Sequence, residues 1–325
     1  MGPFVLDDRL VVGIASSALF DLAESDAVFR TEGEDAYRIY QEAHLDDTLR
    51  PGVAFPFIRR LLSLNELAAT PADRLVEVIV LSRNDPDTGL RVMRSIKHHG
   101  LDITRAVFMQ GRSPYKFMPA FNMSLFLSAN EDDVREALAA DLPAGQVLPS
   151  TAVDDDSMDL RIAFDFDGVL ADDAAEEVMQ SSGLPAFHAH EVANAERPHN
   201  PGPLQSFLAA VNRIQELETA RRLADTAYRI RVHVSIVTAR NAPSHERAVH
   251  SLKQWGVRAN DAFFLGGVDK ARVLEILKPH IFFDDQLNHL KGAARATPSV
   301  HVPFGSLNAR AVHDDLEGSD EPAQE

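Results

Sequence analysis

Short apolar runs alternate with longer segments of helical spacing along most of the chain. In the second half, the short runs are rich in β-branched and aromatic residues and are apolar throughout, which is typical of strands covered on both faces of a sheet. They lie at 160–165, 232–238, 262–265, 280–284 and 300–303. Between them, residues 204–217 and 245–255 have apolar side chains at helical spacing, and Gly256 follows as a helix stop. This alternation predicts an α/β fold with a doubly wound parallel sheet.

The first half of the chain repeats this order of elements. Its candidate strands lie at 10–15, 76–82, 106–109, 124–127 and 146–148. Pairs of corresponding residues are separated by 156 positions, namely Ser82 and Thr238, Gly100 and Gly256, Phe108 and Phe264, and Phe126 and Phe282. Two unrelated doubly wound units of similar size would also look alike. A shared register without a gap favours duplication, and we therefore predict two tandem Rossmann-like units.

Polarity along the chain suggests where the units begin and end. We predict a first unit at 1–150, an acidic linker at 151–159 and a second unit at 160–309, followed by an acidic tail at 310–325. A chain of 325 residues with 45% hydrophobic content is large enough to bury a core. No apolar run approaches the roughly 20 residues that cross a bilayer, and the first ten residues do not resemble a secretory signal. These features predict a cytoplasmic protein with no membrane partner.

Charge and cysteine content narrow the chemistry. The formal net charge of −17 repels a polyphosphate backbone, so nucleic acid polymers are not expected partners. The same charge would repel a small phosphate ester unless a bound cation or local basic side chains reversed the field. Because the chain has no cysteine, it has neither a disulfide framework nor a thiolate ligand or nucleophile. Any catalysis must therefore use oxygen or nitrogen groups.

Two carboxylates stand at the end of the first strand of the second half. In the segment RIAFDFDGVLADD, residues 161–173, the apolar run leads directly into Asp165 and Asp167. Side chains alternate along a strand, so both carboxylates point to one side and need a cation or a shared proton. The carboxyl end of a parallel strand is also where such sheets bind ligands. Taken alone, the pattern is equally consistent with a turn or a helix cap.

Three further segments complete a resemblance to the haloacid dehalogenase superfamily. They are Thr238 at the end of the strand in SIVTAR, Lys270 in LGGVDKARVL, and the pair Asp284 and Asp285 in HIFFDDQ. A lone threonine or a lone lysine would carry no information, since surface lysines are usually solvated. With Asp165 and Asp167, these segments resemble the four motifs of the superfamily in order. The resemblance implies a catalytic second unit with a small helical cap inserted at about 174–231.

The same resemblance implies a role for each motif residue. Asp165 would be the nucleophile that forms an aspartyl phosphate. Asp167 would protonate the leaving oxygen and later deprotonate the attacking water. Thr238 would hydrogen-bond a phosphoryl oxygen, and Lys270 would neutralise developing charge and the Asp165 carboxylate.

A magnesium ion is also implied by the resemblance. Its ligands would be a carboxylate oxygen of Asp165, the backbone carbonyl of Asp167 and the side chain of Asp284. Asp285 would lie nearby, either as a ligand or behind the ligands. An oxygen-only set suits a hard cation that keeps several waters.

Nearly the whole chain, about residues 10–305, resembles the cytosolic 5′-nucleotidase type I family and its bacterial relatives. Segments outside the motifs carry this resemblance, including IASSALFDL, PGVAFPFIRRL, GLRVMRSIKHHGL, MSLFLSANEDDVREAL, PGPLQSFL and HVPFGSLN. The first motif departs from the family pattern, because Phe166 and Gly168 stand where relatives have glycine and alanine. Both aspartates remain, so the chemistry is expected to remain, and the bulk of Phe166 is expected to affect loop packing or substrate preference.

The first half lacks the carboxylates of the second. Ala15 and Ser17 stand at the positions of Asp165 and Asp167, and Ser128 and Ala129 stand at those of Asp284 and Asp285. We expect this half to be unable to bind magnesium or form a phosphoenzyme. It is instead a candidate for shaping the substrate pocket, binding a regulatory nucleotide or forming the interface of a homo-oligomer.

Candidate substrate contacts lie near the motifs, in the insert and in the first half. The insert has His188, His190, Arg197 and His199 in what reads as a polar loop, where exposed histidines are common. The substrate contacts that we predict are Ala239, Arg240, His190, Arg197, Asn84 and Ser113.

The predicted function is Mg²⁺-dependent hydrolysis of nucleoside 5′-monophosphates. One alternative is a phosphatase of the same superfamily that acts on another small phosphate ester, such as a sugar phosphate. Another is a regulatory protein that binds nucleotides without turnover. The intact set of motif residues argues against this last alternative, because drift would be expected to remove a carboxylate first.

Overall fold

One mixed sheet of ten strands runs through the computed structural model, which describes residues 5–70 and 72–308. In chain order the strands are β1 Leu10–Ile14, β2 Val76–Ser82, β3 Arg105–Phe108, β4 Leu125–Ser128, β5 Ala144–Val147, β6 Leu160–Phe164, β7 Val232–Thr238, β8 Asp261–Phe264, β9 Ile281–Asp284 and β10 Ser299–His301. Every predicted strand is present, with its ends shifted by at most two residues. The predicted tail at 310–325 lies outside the described residues.

Helices connect the strands on both faces of the sheet. They are α1 Ser16–Leu19, α2 Ala23–Ala43, α3 Phe55–Ser63, α4 Pro86–His98, α5 Glu131–Ala139, α6 Ala174–Ala193, α7 Gln205–Ala224, α8 His245–Gln254, α9 Lys270–Leu277 and α10 Leu287–Ala293. In the described part of the chain, no helix is both long and apolar enough to span a bilayer. His188 and His190 lie on α6, so the expectation of a polar loop around them was wrong. The helix bends at Gly183, whose φ is +79°, and then resumes.

The strand order is β3-β2-β1-β4-β5-β10-β9-β6-β7-β8. Each half therefore has the same internal order, and all pairs within a half are parallel. This confirms the prediction of two doubly wound parallel units. The two halves meet where β5 pairs with β10 in the antiparallel sense, with Val147 opposite Val300. As a result, the strands of the two halves end at opposite edges of the sheet.

Corresponding side chains make the same hydrogen bonds in both halves. Ser251 Oγ accepts from the backbone N–H of His199 at 2.9 Å, and Ser95 Oγ accepts from that of Leu49 at 3.0 Å. The serines are 156 positions apart and their partners 150 apart, as the strand registers require. The two long helices α2 and α6 also bend at equivalent glycines, 150 positions apart. These shared contacts extend the likeness of the halves to the region between their first and second strands.

The apolar core is continuous across the junction of the halves. Helix α3 of the first half contacts β6, and α7 of the second half contacts β1. The ring centroids of Phe164 and Phe283 are 5.2 Å apart, and each ring also lies about 6 Å from Phe207 on α7. Within the predicted insert at 174–231, α7 therefore packs in the core and α6 lies outside it. The unit boundaries at 1–150 and 160–309 stay a prediction.

A buried arginine attaches the linker to helix α3. The side chain of Arg60 is fully buried, and its Nη2 lies 2.6 Å from Asp154 Oδ1 and 2.9 Å from Asp155 Oδ1. Its Nε donates to the carbonyl of Asp159 at 3.0 Å, and its Nη1 donates to that of Pro56 at 3.1 Å. Because a buried guanidinium needs partners for its charge and its donors, this network keeps the linker against the core.

We predict that Arg60→Ala lowers the free energy of unfolding by about 3–5 kcal/mol, since it removes one member of a buried ionic network. The neighbouring Arg59→Ala is the matched control, because Arg59 bonds the same Asp154 but its side chain is 33% exposed. Its loss should cost about 0–1 kcal/mol. Urea unfolding of both variants measures the difference. Equal losses would contradict a special role for the buried arginine.

Candidate active site

The side chains of the four motifs converge at the carboxyl edge of the second-half strands. Asp165 follows the last residue of β6, Thr238 is the last residue of β7 and Asp284 is the last of β9. Strand β6 lies between β7 and β9 and is parallel to both, so these three ends are adjacent. Lys270 is the first residue of α9, which follows β8. Parallel pairing therefore brings Asp165 close to Asp284, which is 119 positions further along the chain (284−165).

Lys270 occupies the centre of this cluster. Its Nζ lies 2.6 Å from Asp165 Oδ2 and 2.7 Å from Asp284 Oδ2, and its side chain is 2% exposed. His289 on α10 joins the cluster, with Nδ1 at 3.2 Å from each oxygen of Asp284. Asp269 Oδ1 accepts from the backbone N–H of Ala271, which caps α9 and fixes the position of Lys270. The ammonium group thus bridges two buried carboxylates.

Burial and neighbouring charges shift the protonation of these groups. Burial raises the pKa of Asp165 to about 6, although Lys270 opposes the shift. Burial would also raise the pKa of Asp284, but Lys270 and His289 outweigh it and hold that pKa below its usual value. Burial alone would lower the pKa of Lys270, whereas the two carboxylates keep it above its usual value. The lysine therefore stays charged.

The carboxylate of Asp285 is buried, and the positive charge near it is too small to balance its own charge and those of its neighbours. Its Oδ1 is buried and has no hydrogen-bond partner among the described residues. Burial, with Asp165 and Asp284 nearby, raises its pKa well above the usual value. The backbone carbonyl of Asp285 is held by Asn308 Nδ2 at 3.0 Å, so the residue is fixed in place. A single ammonium group cannot balance three carboxylates at this position.

These residues fit a divalent cation. Oxygens of Asp165 and Asp284 lie within 4.8 Å of each other and of His289 Nδ1. The orphaned oxygen of Asp285 and the excess of negative charge call for a positive partner, and carboxylate oxygens suit a hard cation such as Mg²⁺. Gly168 makes room for Asp285, because its φ is +68° and a Cβ there would lie 2.6 Å from that carboxylate. The roles of these residues as ligands stay a prediction.

Asp167 is engaged by Arg240. Nε and Nη2 of Arg240 donate to the two oxygens of Asp167 at 2.7 and 2.6 Å, which is a bidentate pair. Arg240 also bonds Glu191 on α6, and its Nη2 lies 2.9 Å from His199 Nε2. Sequence reasoning missed Glu191 and His289 because nothing local distinguishes either of them from a surface residue.

Phe166 fills the space between these groups and the core. It is fully buried, its ring stacks on Trp255 at 6.0 Å and meets His199 edge-on at 5.3 Å. The guanidinium of Arg240 lies over the same ring at 5.2 Å, within cation–π range. The bulk of Phe166 thus contributes packing that a glycine would not supply.

The remaining predicted site residues lie at varying distances from this cluster. Thr238 is buried and its Oγ accepts from the backbone N–H of Arg240 at 3.2 Å, while Ala239 beside it is exposed. His190 Nδ1 lies 3.1 Å from Glu191 Oε1. Arg197 is exposed in the loop after α6. The substrate roles of Ala239, Arg240, His190 and Arg197 stay predictions.

Asn84 and Ser113 are not brought to this cluster. They follow β2 and β3, whose carboxyl ends lie at the other edge of the sheet because the halves pair antiparallel. Strand β2 is also six strand spacings from β6, or roughly 30 Å. Ser113 Oγ instead donates to Asp133 at 2.6 Å, within the first half. Within one chain these two residues cannot touch a phosphate held by Asp165.

Comparison with known proteins gives a consistent result. A family model described as 5′-nucleotidase matches residues 3–309. The chain is 30% identical over 295 residues to human cytosolic 5′-nucleotidase 1B. The matched residues cover 89% of this chain and 48% of the human protein. The chain therefore spans about half the length of this curated relative. No solved structure is significantly similar to the chain.

We predict that Asp285→Asn stabilises the protein in the presence of a chelator. The folded state raises the pKa of Asp285, so it retains a proton that the unfolded chain releases. Wild-type stability should therefore fall as pH rises above the usual carboxyl range, and the advantage of the variant should widen from pH 5 to pH 8. We expect a gain in Tm of about 2–4 °C at pH 8, which is about 1 kcal/mol.

Differential scanning calorimetry with and without Mg²⁺ measures this effect. Added Mg²⁺ should raise the Tm of wild type more than that of Asp285→Asn, because only wild type offers the third carboxylate. A variant less stable than wild type at pH 8 in chelator would show that the Asp285 charge is already compensated.

Proposed function

The chain belongs to the 5′-nucleotidase family, and on this premise we propose that it hydrolyses nucleoside 5′-monophosphates to nucleoside and phosphate. The observation that carries the proposal is the bridge from Lys270 to Asp165 and Asp284, beside the uncompensated carboxylate of Asp285. This arrangement offers a nucleophile and one buried ammonium group at one edge of the sheet, with an excess of negative charge that a divalent cation would balance for a phosphoryl group. Phosphoryl transfer depends largely on such positioning and charge stabilisation.

In the proposed first step, an oxygen of Asp165 attacks phosphorus. With a pKa of about 6, Asp165 is mostly ionised at pH 7 and Lys270 orients it. As the new bond forms, the bond from phosphorus to O5′ breaks. Asp167, once it is protonated and one of its oxygens has left Arg240, gives its proton to O5′. The nucleoside leaves and an aspartyl phosphate remains on Asp165.

In the second step, water releases the phosphate. Asp167 takes a proton from the water while its oxygen attacks phosphorus, and the bond to Asp165 breaks. Inorganic phosphate departs, Asp165 is again a carboxylate and Asp167 is again protonated. Thr238, which is buried at the end of β7, would hydrogen-bond a phosphoryl oxygen in both steps.

Mg²⁺ is the cofactor that we propose for this site. Asp165, Asp284 and the backbone carbonyl of Asp167 would hold it, with Asp285 as a ligand or behind the ligands. When bound, it would neutralise charge on the phosphoryl oxygens. His289, already within reach of Asp284, supports the orientation of that carboxylate.

We also propose a cytoplasmic location, a regulatory nucleotide and a homo-oligomer. The human relative is named as a cytosolic enzyme, which agrees with a cytoplasmic location for this chain. A regulatory nucleotide and a homo-oligomer would both involve the first half, which has no carboxylates at the positions of Asp165 and Asp284. Ser128 stands at the position of Asp284 and is instead bonded weakly to Asp133, at 3.4 Å.

We predict that Asp165→Asn lowers kcat for AMP by at least about 10³-fold, because the amide is not a nucleophile. Phosphate release from AMP, deoxynucleoside monophosphates, pyrimidine monophosphates and sugar phosphates, with and without Mg²⁺, measures activity and specificity. Asp261→Asn is the control, since Asp261 begins β8 at the opposite edge and pairs with His233. It should stay within about twofold of wild type.

Each outcome of this panel has a distinct meaning. Persistent activity in Asp165→Asn would reject the nucleophile. Turnover of sugar phosphates alone would favour a different phosphatase of the superfamily. No turnover by wild type, with a rise in Tm on adding AMP, would favour a binding protein without catalysis.

A further inference from the structure

Arg240 has no free hydrogen-bond donor. Its Nε and one N–H of Nη2 go to Asp167, and Nη1 donates to Glu191 and, at 3.0 Å, to the carbonyl of Ser244. The second N–H of Nη2 faces His199 Nε2 at 2.9 Å. All five guanidinium donors are therefore used, and none remains for a phosphate oxygen of a substrate.

The protonation of His199 agrees with this count. Burial lowers its pKa, so the ring is neutral at pH 7. Ser251 Oγ donates to the carbonyl of Arg247 at 2.8 Å and so accepts from His199 Nδ1 at 3.0 Å. Nε2 is then the acceptor of the ring and receives the N–H of Arg240. His199 thereby fixes the plane of the guanidinium.

Glu191 connects this arginine to the helix that lies outside the core. Its side chain is fully buried on α6, and Arg247 Nη1 donates to its Oε1 at 2.8 Å. Burial would raise the pKa of Glu191, but the charge and the hydrogen bond of Arg240 hold that pKa far below its usual value. Glu191 is therefore a permanent anion that shares the Arg240 charge with Asp167, whose side chain is 13% exposed.

Two hydrogen bonds of this network recur in the first half, whereas the charged groups around Asp167 do not. Arg91 and Gln41, the counterparts of Arg247 and Glu191, keep their hydrogen bond at 3.1 Å. The second bond of this arginine is kept too, because Arg91 Nε donates to the carbonyl of Asp47 and Arg247 Nε to that of its counterpart, residue 197. These bonds thus join α2 to α4 and α6 to α8, and in the first half they do so without a carboxylate.

The charged members of the Arg240 network are missing from the first half, which also lacks a counterpart of the acid–base residue Asp167. In the first half Ser17 stands for Asp167, Asn84 for Arg240 and Leu49 for His199. Asn84 Nδ2 is buried and has no hydrogen-bond partner among the described residues. The guanidinium of Arg240 and the carboxylate of Glu191 are therefore present only in the half that has Asp167, and the shared fold does not require them.

We propose that Arg240 is the positioning residue of Asp167 and that Glu191 on α6 holds Arg240 in place. This inference rests on the proposed function and adds to it a link from helix α6 to the acid–base group. Arg240 acts through Asp167 and does not bind the substrate phosphate. With Glu191 removed, the guanidinium would lose one of the two carboxyl groups that hold it, and Asp167 would be presented poorly to the leaving oxygen.

The test compares a leaving group that needs a proton with one that does not. Glu191→Gln and Arg240→Lys should lower kcat for a nucleoside monophosphate by about 10–100-fold, with KM changed by less than about threefold. The first turnover of p-nitrophenyl phosphate should fall by less than about threefold, because p-nitrophenolate leaves without protonation. Asp167→Asn should show the same pattern and is the reference.

Gln41→Ala is the matched control, because it removes the equivalent hydrogen bond from Arg91 in the half that has no counterpart of Asp167. It should leave both substrates within about twofold of wild type. Glu191→Gln is expected to fold, because the first half already has glutamine at this position, and its Tm checks this. In an Asp167→Asn background, Glu191→Gln should have no further effect on nucleotide turnover if it acts through Asp167.

Equal losses on both substrates, no loss on either, or additive losses with Asp167→Asn would overturn the inference. Such results with an active wild type and an inactive Asp165→Asn would leave the proposed function intact. Absence of phosphate release by wild type from every ester would instead reject the proposed function itself.

Discussion

The site depends on the burial of several carboxylates around one ammonium group. Asp165, Asp284 and Asp285 lie at neighbouring positions of the sheet edge, and Lys270 is the cation that the chain supplies. Two of the carboxylates have raised pKa values because burial and mutual repulsion disfavour their charge. A second cation or a proton stabilises a folded edge of this kind. The charges that lower the stability of the protein alone therefore prepare the edge for a metal and a phosphate.

The doubled architecture explains why this concentration of charge is tolerated. Both halves share one sheet and one apolar core, and the strands of the first half end at the opposite edge. The first half therefore adds buried area and paired strands without adding charge to the catalytic edge. Its own edge has Ser82 and Ser128 in place of catalytic groups, which lowers the cost of burying it. Stability and chemistry are thereby divided between two copies of one unit.

Helix α6 is linked to the catalytic edge by the buried charge of Glu191 and by the buried ring of Phe187. Glu191 and the ring of Phe187, 5.2 Å from the guanidinium, contact Arg240 from this helix, and Arg240 in turn donates to both oxygens of Asp167. The equivalent helix in the first half keeps its hydrogen bond to Arg91, but its ion pair is made at another position, by Arg38 with Asp85. Contacts that both halves share are required by the fold, and contacts found only in the second half belong to the acid–base residue Asp167.

The sequence by itself determined the strands, the duplication and the positions of Asp165, Thr238, Lys270 and Asp284, because apolar periodicity and motif spacing are local properties. Tertiary structure decided the rest. The antiparallel junction of β5 and β10 depends on two edges meeting in space, and it placed Asn84 away from the site although its register matches that of Arg240. Glu191 and His289 likewise became identifiable only once folding had buried them beside opposite charges, since their surroundings come from distant parts of the chain.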